Sequence, residues 1–141
     1  MSANSAALTA GEREALLNAA RAAVLHAYAP YSKFRVGAAV LTEAKAIYTG
    51  CNVENASYGL TNCAERTAIF TAVANEGPGM RVRAVGVWSQ ADCVCPPCGA
   101  CRQVIWEFGK EAVVLYRSGN GVETKAIRDL LPEGFKLESG N

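Results

Sequence analysis

Histidine is nearly absent from this sequence: His26 is the only one among 141 residues. It falls near the end of a predicted helix, and we interpret it as a helix-terminal or interface residue. Any metal site in the chain is therefore expected to rely on thiolates. No long run of Lys or Arg occurs and the net charge is only +1, so the chain lacks the clustered positive charge typical of a nucleic-acid-binding protein.

Long apolar stretches are missing as well. The longest apolar runs span only a few residues, whereas a membrane helix needs about 20, so we expect no membrane-spanning segment. Residues 1–10 have no basic segment followed by an apolar one, so we expect no signal peptide and a cytoplasmic location. Six cysteines in a small secreted chain would suggest a disulfide framework, but in the cytoplasm they are expected to stay reduced.

Half of the residues are hydrophobic, which is enough for one sizeable core in a chain of this length. We expect a single domain over residues 1–141, with residues 1–8 disordered because this segment is mostly small and polar. Thr9 followed by Glu12 is the pattern of a capping box. It predicts a helix that continues to about Tyr28 and ends before Pro30.

Strand and helix patterns alternate beyond this first helix. Strands are predicted at 35–42, 46–51, 82–88, 112–116 and 122–125, and helices at 63–75, 99–108 and 126–131. The segment 43–45 would join the first two strands as a hairpin, although it lacks the usual Gly or Asn. This alternation predicts an α/β layered domain with a mixed sheet.

The candidate chemistry is concentrated in two short stretches, 63–66 and 97–103, that we expect to meet in space. Cys98 and Cys101 have the C-x-x-C spacing of a metal site, and Cys63 adds a third thiol. Three protein ligands leave the fourth position of a tetrahedral zinc open, as in catalytic zinc sites. Glu65 is a carboxyl that a structural site would not need, and its position matches the proton-shuttling glutamate of zinc deaminases.

The charge of such a centre predicts a further partner. Zinc with three thiolates has a net charge of −1, which weakens its ability to acidify water. Arg66, next to Glu65, is the natural cation to offset this charge. The two predicted helix starts would also favour thiolates, because a helix N-terminus carries partial positive charge.

The choice of ligands stays open at Cys95, which forms a second C-x-x-C pair with Cys98. A fourth thiolate would make the site closed and structural. The two prolines between these cysteines disfavour this arrangement, because they remove amide donors that steady thiolates. Cys51 and Cys93 are interpreted as core or loop thiols.

Taken together, these motifs resemble those of the small cytidine deaminases of nucleoside salvage. The matching runs occur in the family's order and cover most of the chain beyond the first helix: residues 30–32, 34–37, 50–58, 63–68, 97–103 and 130–132. The resemblance implies a five-stranded sheet packed between helices, a Zn²⁺ cofactor, a homotetramer, and free cytidine and deoxycytidine as substrates. It implies neither nucleic-acid nor membrane partners.

The resemblance also assigns roles to individual residues. It implies that Glu65 is catalytic, that Cys63, Cys98 and Cys101 bind zinc, and that Arg66 hydrogen-bonds the thiolates. It implies that Asn52 and Glu54 bind the ribose 3′-hydroxyl, that Phe34 contacts the pyrimidine, and that Ala64 also contacts the substrate. It further implies that three residues contribute to the active site of a neighbouring subunit, namely Ala56, Tyr58 and Phe135. The segment 133–136 departs from the family's usual tail around Phe135.

Three other hypotheses compete with this one. A related deaminase could act on another cytosine nucleoside such as blasticidin S, but the run 52–58 resembles a nucleoside ribose clamp. A structural zinc or nucleic-acid-binding module is opposed by the near-neutral charge and by the position of Glu65. A thiol oxidoreductase would need neither a third cysteine nor a partner glutamate.

Overall fold

The computed structural model describes residues 8–91 and 93–137, and the expected disorder of residues 1–7 lies outside this part of the chain. The helices are α1 (Ala10–Ala23), α2 (Ala64–Glu76), α3 (Gly99–Phe108) and α4 (Ile127–Leu130). The strands are β1 (Val36–Thr42), β2 (Ile47–Cys51), β3 (Val82–Ser89), β4 (Val113–Ser118) and β5 (Gly121–Ala126). Short 3₁₀ helices cover Val24–His26 and Tyr58–Leu60. Leu8 is half-buried and packs on the core, contrary to the expected disorder at this residue.

The first helix begins as predicted but ends earlier. Thr9 is its N-cap, and the capping box with Glu12 is complete, with both hydrogen bonds at 3.0 Å. The α-helix ends at Ala23 and a 3₁₀ helix follows to His26, so the helical segment ends two residues before the predicted Tyr28. Tyr28 instead forms a bridge with Val53, because its backbone N–H donates to Asn52 and its carbonyl accepts from Glu54. These bonds bring the loop after β2 beside the end of the first helical segment.

The five strands form one mixed sheet in the order β2-β1-β3-β4-β5, which confirms the predicted fold class. β1 pairs antiparallel with β2 and β3, β4 pairs antiparallel with β5, and β3 pairs parallel with β4. The β1–β2 turn needs no glycine because Lys45 adopts a left-handed φ of 68°. The parallel β3–β4 pair is joined by a crossover that contains α3.

Two apolar layers cover the opposite faces of this sheet. α1 buries Leu16, Leu17 and Ala20 against one face, together with Leu115 of β4. α2 and α3 pack on the other face, where the buried residues include Ile69 of α2 and Ile105 of α3, with Val40 and Val85 of the sheet. The sheet therefore lies between helices, and the beginnings of α2 and α3 lie on the same side of it.

Close helix-to-sheet contact depends on two glycines. A Cβ at Gly37 would lie 2.2 Å from the carbonyl oxygen of Ala20, where α1 crosses β1. A Cβ at Gly50 would lie 2.3 Å from the backbone nitrogen of Ala68, where α2 crosses β2. Neither distance leaves room for a side chain, so these glycines set the depth at which each helix docks. Within residues 8–91 and 93–137, no helix is both long and apolar enough to cross a membrane.

Candidate active site and metal centre

Three thiols meet where two helices begin. Cys63 is the N-cap of α2 and Cys98 is the N-cap of α3, while Cys101 is buried in the first turn of α3. Their Sγ atoms all lie within 4.8 Å of one another. Sulfur atoms at this separation can bind one tetrahedral metal ion, because metal–sulfur bonds of about 2.3 Å require ligands this close together. The structure thus brings together the three predicted ligands.

Arg66 fits this cluster as a charge partner. Its Nη2 donates to the Sγ of Cys63 at 3.0 Å, and its Nε is buried with no hydrogen-bond partner among the described residues. The hydrogen bond to Cys63 and the negative charge of that thiolate raise the pKa of Arg66. A guanidinium in this position is expected to offset the excess negative charge of a three-thiolate zinc site, and the donor set therefore fits zinc.

The thiols of Cys63 and Cys101 have pKa values shifted in opposite directions when no metal is bound. The pKa of Cys63 falls to about 5, first because the Cys101 thiol donates to it and then because Arg66 does. The pKa of Cys101 rises, chiefly because this thiol hydrogen-bonds Cys63 and also because it is buried. Thiolate character is therefore already present in the cluster before a metal arrives, which favours metal uptake near neutral pH.

Glu65 is a buried carboxyl beside this cluster, with only 5% of its surface exposed. Burial raises its pKa to about 7, and the nearby Cys63 thiolate adds to the increase. A carboxyl with a pKa near neutral can both accept and donate a proton under ordinary conditions. Ala64 and Glu65 follow the N-cap of α2 and face the same cavity as Cys63.

That cavity has a volume of about 300 Å³. Its lining includes seven residues predicted from the sequence, namely Phe34, Asn52, Glu54, Cys63, Ala64, Glu65 and Cys98. Phe34 is 36% exposed, so its ring is available at the cavity surface. Cys63, Cys98 and Glu65 thus share one cavity with the residues predicted to hold a nucleoside.

The side chains of Asn52 and Glu54 are fixed by the loop before β1. Asn52 accepts from the N–H of Val36 at 2.9 Å and donates to the carbonyl of Phe34 at 2.8 Å. Glu54 accepts from the backbone N–H groups of residues 31 and 32 and from the Ser32 hydroxyl. The Ser32 hydroxyl, opposed by partial burial, is the main cause of a lowered Glu54 pKa. Glu54 therefore stays ionised at neutral pH.

The structure does not bring Ala56, Tyr58 and Phe135 to the lining of this cavity. Tyr58 is 76% exposed and contacts the Tyr31 ring edge-on at 6.1 Å between centroids. Phe135 is 65% exposed, and its carbonyl accepts from the Gln103 side chain at 2.8 Å. The tail is held here because Gly134 packs so tightly that a Cβ would lie 2.7 Å from Trp106.

Comparison with known proteins identifies the family. The family model for the cytidine and deoxycytidylate deaminase zinc-binding region matches residues 11–117. The chain belongs to this deaminase family. The matched region contains all three clustered thiols and Glu65. Zn²⁺ is the cofactor of this protein, and the three thiols form a cluster that could bind it.

Individual relatives agree with this membership. A cytidine deaminase from Sporosarcina psychrophila is 46% identical over 128 residues, covering 89% of this chain and 92% of that protein. The crystal structure of cytidine deaminase from Burkholderia pseudomallei has a TM-score of 0.78 at 48% identity, covering 86% of this chain and 98% of that one. The corresponding structure from Mycobacterium tuberculosis has a TM-score of 0.77 at 39% identity, covering 89% and 98%.

Sequence reasoning missed several residues of this deaminase-family cavity. Cys95 and Pro96 line it, as do Ser32 and Thr61. The sequence suggests a role for Cys95 only as a fourth zinc ligand, yet its thiol lies outside the cluster of three. Burial and the nearby charge of Glu65 raise the pKa of Cys95 to about 11, so it stays protonated. Its place just before α3 was the available signal, because residues that precede a helix N-terminus lie near the ligands there.

The buried state of Glu65 predicts how the zinc-free protein responds to pH. Its pKa rises from the ordinary value of 4.5 to about 7 on folding, so the folded state binds more protons than the unfolded state between these values. Stability is then lost as pH rises through this window, by up to about 3 kcal/mol above pH 7. Glu65→Gln should remove the loss, making the zinc-free variant more stable than the wild type at pH 8.

The free energy of unfolding of wild type and Glu65→Gln is measured by chemical denaturation at pH 4.5 and pH 8, after a chelator has removed zinc. The two proteins should be nearly equally stable at the lower pH, where Glu65 is protonated in the folded state and half protonated in the unfolded state, which leaves a difference of only about 0.4 kcal/mol. Glu14→Gln, on an exposed part of α1, is the matched control. Equal stability of Glu65→Gln and wild type at pH 8 would show that ionisation of the buried Glu65 carboxyl does not destabilise the fold.

Proposed function

We propose that this protein catalyses the zinc-dependent hydrolytic deamination of cytidine and deoxycytidine to uridine and deoxyuridine, with release of ammonia. The observation that carries the proposal is the buried Glu65 carboxyl beside the Cys63, Cys98 and Cys101 thiols, in one cavity with Asn52 and Glu54. The relatives named above are cytidine deaminases at 39% to 48% identity, which supports the same activity.

The three thiolates would hold the zinc, and Arg66 would stabilise their charge through Cys63. When bound, zinc supplies a Lewis acid that lowers the pKa of a water molecule at its open position. The positive ends of α2 and α3 also point toward this region and favour the thiolate form of both N-cap cysteines.

Glu65 would move the protons of the reaction. It accepts a proton from the attacking water as the water oxygen bonds to C4 of the cytosine, and it delivers that proton to the ring nitrogen N3. The remaining hydroxyl proton then reaches the amino group through the same carboxyl as the C4–N bond breaks and ammonia leaves. Its burial favours the neutral carboxyl, which suits a group that takes up a proton and then delivers it.

The other cavity residues would hold the nucleoside. Phe34 offers an exposed ring against which the pyrimidine can pack, and Ala64 adds a small surface next to Glu65. Asn52 and Glu54 offer polar atoms for the ribose 3′-hydroxyl, and Glu54 is an ionised acceptor. A polar group that is fixed before the substrate binds selects strongly for the matching hydroxyl.

The deciding experiment measures zinc content and ammonia release on one purified sample. We expect about one zinc per chain and turnover of both cytidine and deoxycytidine. Blasticidin S and cytosine within a long single-stranded polynucleotide should be poor substrates, because the pocket matches a free ribose and the chain has no basic stripe. Zinc without turnover of either nucleoside would favour a structural zinc module, and preferred turnover of blasticidin S would favour the related deaminase.

We further propose that residues 1–141 form one domain that works as a homotetramer in cytoplasmic pyrimidine salvage. A reducing compartment would keep the six cysteines out of disulfides and leave three of them available for zinc. Several apolar side chains are exposed, including Leu25, Tyr58, Leu60 and Phe135, each at least 65%. Exposed apolar groups in this number are typical of a surface that another subunit covers.

Assembly of the active site from several subunits predicts that activity depends on protein concentration. Dilution that produces monomers should abolish turnover while zinc remains bound, because Tyr58 and Phe135 do not line the 300 Å³ cavity of their own chain that contains Glu65. Turnover and sedimentation should be measured across the same dilution series. Full activity in a fraction that sediments as a monomer would contradict this prediction.

A further inference from the structure

The Glu54 carboxylate has nearly all of its hydrogen-bonding capacity occupied. Its Oε1 accepts from the backbone N–H of Tyr31 at 2.9 Å and from that of Ser32 at 3.1 Å. Its Oε2 accepts from the Ser32 hydroxyl. An ionised carboxylate offers about two acceptor positions on each oxygen, so the position that remains lies on Oε2. The oxygen that is left for a ligand is therefore the one that Ser32 holds.

The direction of the Ser32 hydroxyl is itself determined. Its oxygen accepts from the backbone N–H of Phe34 at 3.0 Å, so its single proton is left to point at Glu54. One hydroxyl thus links the backbone of the residue predicted to hold the pyrimidine to the carboxylate predicted to hold the sugar. Ser32 also lines both the 300 Å³ cavity and an adjoining cavity of about 410 Å³, as does Glu54.

The turn that presents Ser32 has a strained backbone. Lys33 adopts a left-handed φ of 62°, which is unfavourable for a residue with a Cβ. The N–H of Lys33 donates to the carbonyl of Ala29 at 3.1 Å, and Glu54 binds the two residues before Lys33. Strained turns persist where surrounding contacts hold them, and they often lie at ligand sites. Here those contacts come from the same carboxylate that the turn orients.

We propose that Ser32 is a positioning residue, whose hydroxyl fixes the Glu54 carboxylate so that the free acceptor position of Oε2 faces a secondary hydroxyl of the nucleoside sugar. The inference rests on the proposed function and adds to it the residue that sets sugar selectivity. Ser32 need not touch the substrate for this effect. Replacing Ser32 should therefore raise KM only for substrates that carry the sugar hydroxyl that Glu54 binds.

The experiment compares Ser32→Ala with the wild type on deoxycytidine and on 2′,3′-dideoxycytidine. We expect KM for deoxycytidine to rise roughly tenfold, as for the loss of a hydrogen bond to a charged group, with kcat changed less than about twofold. KM for the dideoxynucleoside should stay near its wild-type value. Ser32→Ala also removes the hydrogen bond to the Phe34 backbone, which should change KM for both nucleosides equally. The difference between the two KM changes therefore reports only the contact between Glu54 and the sugar hydroxyl.

Two further variants test whether the hydroxyl is the cause. Ser32→Thr keeps a hydroxyl and should restore most of the wild-type KM for deoxycytidine. Ser118→Ala is the control, since the Ser118 hydroxyl has no hydrogen bond among the described residues, and it should change neither KM. An unchanged deoxycytidine KM in Ser32→Ala, or an equal rise for both nucleosides, would overturn the proposal.

A measurement without turnover separates this inference from the proposed function. NMR titration of the Glu54 carboxyl should give a pKa below the ordinary range in the zinc-loaded wild type and a higher pKa in Ser32→Ala. An unaltered Glu54 titration in the variant would overturn the positioning role even if the enzyme deaminates cytidine. If the titration shifts but the wild type deaminates no nucleoside, the proposed function fails while the Ser32–Glu54 contact stands.

Discussion

Replacement of Glu65 by glutamine is expected to lower kcat for cytidine by about 10⁴-fold or more while zinc remains bound. The amide cannot accept a proton from water or deliver one to the ring nitrogen. Positioned acid–base groups contribute typically 10²–10⁴-fold, and this one residue serves several transfers, so the loss should reach the upper end. The carboxyl is not among the three clustered thiols, so metal binding and chemistry should separate at this residue.

The measurement is zinc content, cytidine affinity and turnover on one purified sample of Glu65→Gln. Affinity should survive better than turnover, because Asn52 and Glu54 still line the cavity. The fold should survive as well, since glutamine has nearly the same shape and a neutral side chain suits a site that is only 5% exposed. Loss of zinc would make Glu65 a ligand, and near-normal turnover would assign the proton transfers to another residue.

Alanine at Cys63, Cys98 or Cys101 should remove zinc and activity together. Each substitution leaves two thiols, and a tetrahedral zinc held by two protein ligands and solvent is bound far more weakly. Cys63→Ala also leaves the Arg66 guanidinium without the sulfur that it contacts at 3.0 Å. Zinc should fall from about one per chain to well below that value, and turnover should become undetectable.

The other cysteines provide matched controls for this experiment. Cys95→Ala is the most informative one, because Cys95 lines the same cavity but lies outside the cluster of three sulfurs. Its zinc content should stay near the wild-type value, as should that of Cys51→Ala and Cys93→Ala. Release of zinc by Cys95→Ala would show that the closed, four-thiolate alternative is the correct one.

Local chemistry made several features predictable from the sequence. The Thr9 and Glu12 pair specifies a helix start through contacts within one turn, and the capping box is present. The predicted strands and α3 match the structure to within two residues at their ends, because their apolar patterns and flanking turns are local signals. Cys98 and Cys101 both lie at the start of α3, as their spacing of three residues predicts, because this spacing also fits within one helical turn.

The surroundings of the site were not predictable in this way. Tyr28 leaves the helical pattern because its backbone pairs with residues 52 and 54, and Lys33 and Lys45 take left-handed conformations that no local rule assigns to lysine. The hydrogen bond from the Ser32 hydroxyl to the Glu54 carboxylate joins residues that are distant in sequence. Contacts of this kind depend on how β2 returns beside β1, which periodicity alone does not determine.

The sequence by itself determined which groups could do the chemistry: three thiols, one carboxyl and one arginine, placed at two helix starts in a chain with a single histidine. Only the tertiary structure decided that these groups meet. Gly50 lets α2 dock closely on β2, and the parallel β3–β4 crossover places α3 on the same face of the sheet. Because both helices lie on one face, their positive N-termini converge, and the sulfur atoms come within 4.8 Å of one another beside a buried Glu65.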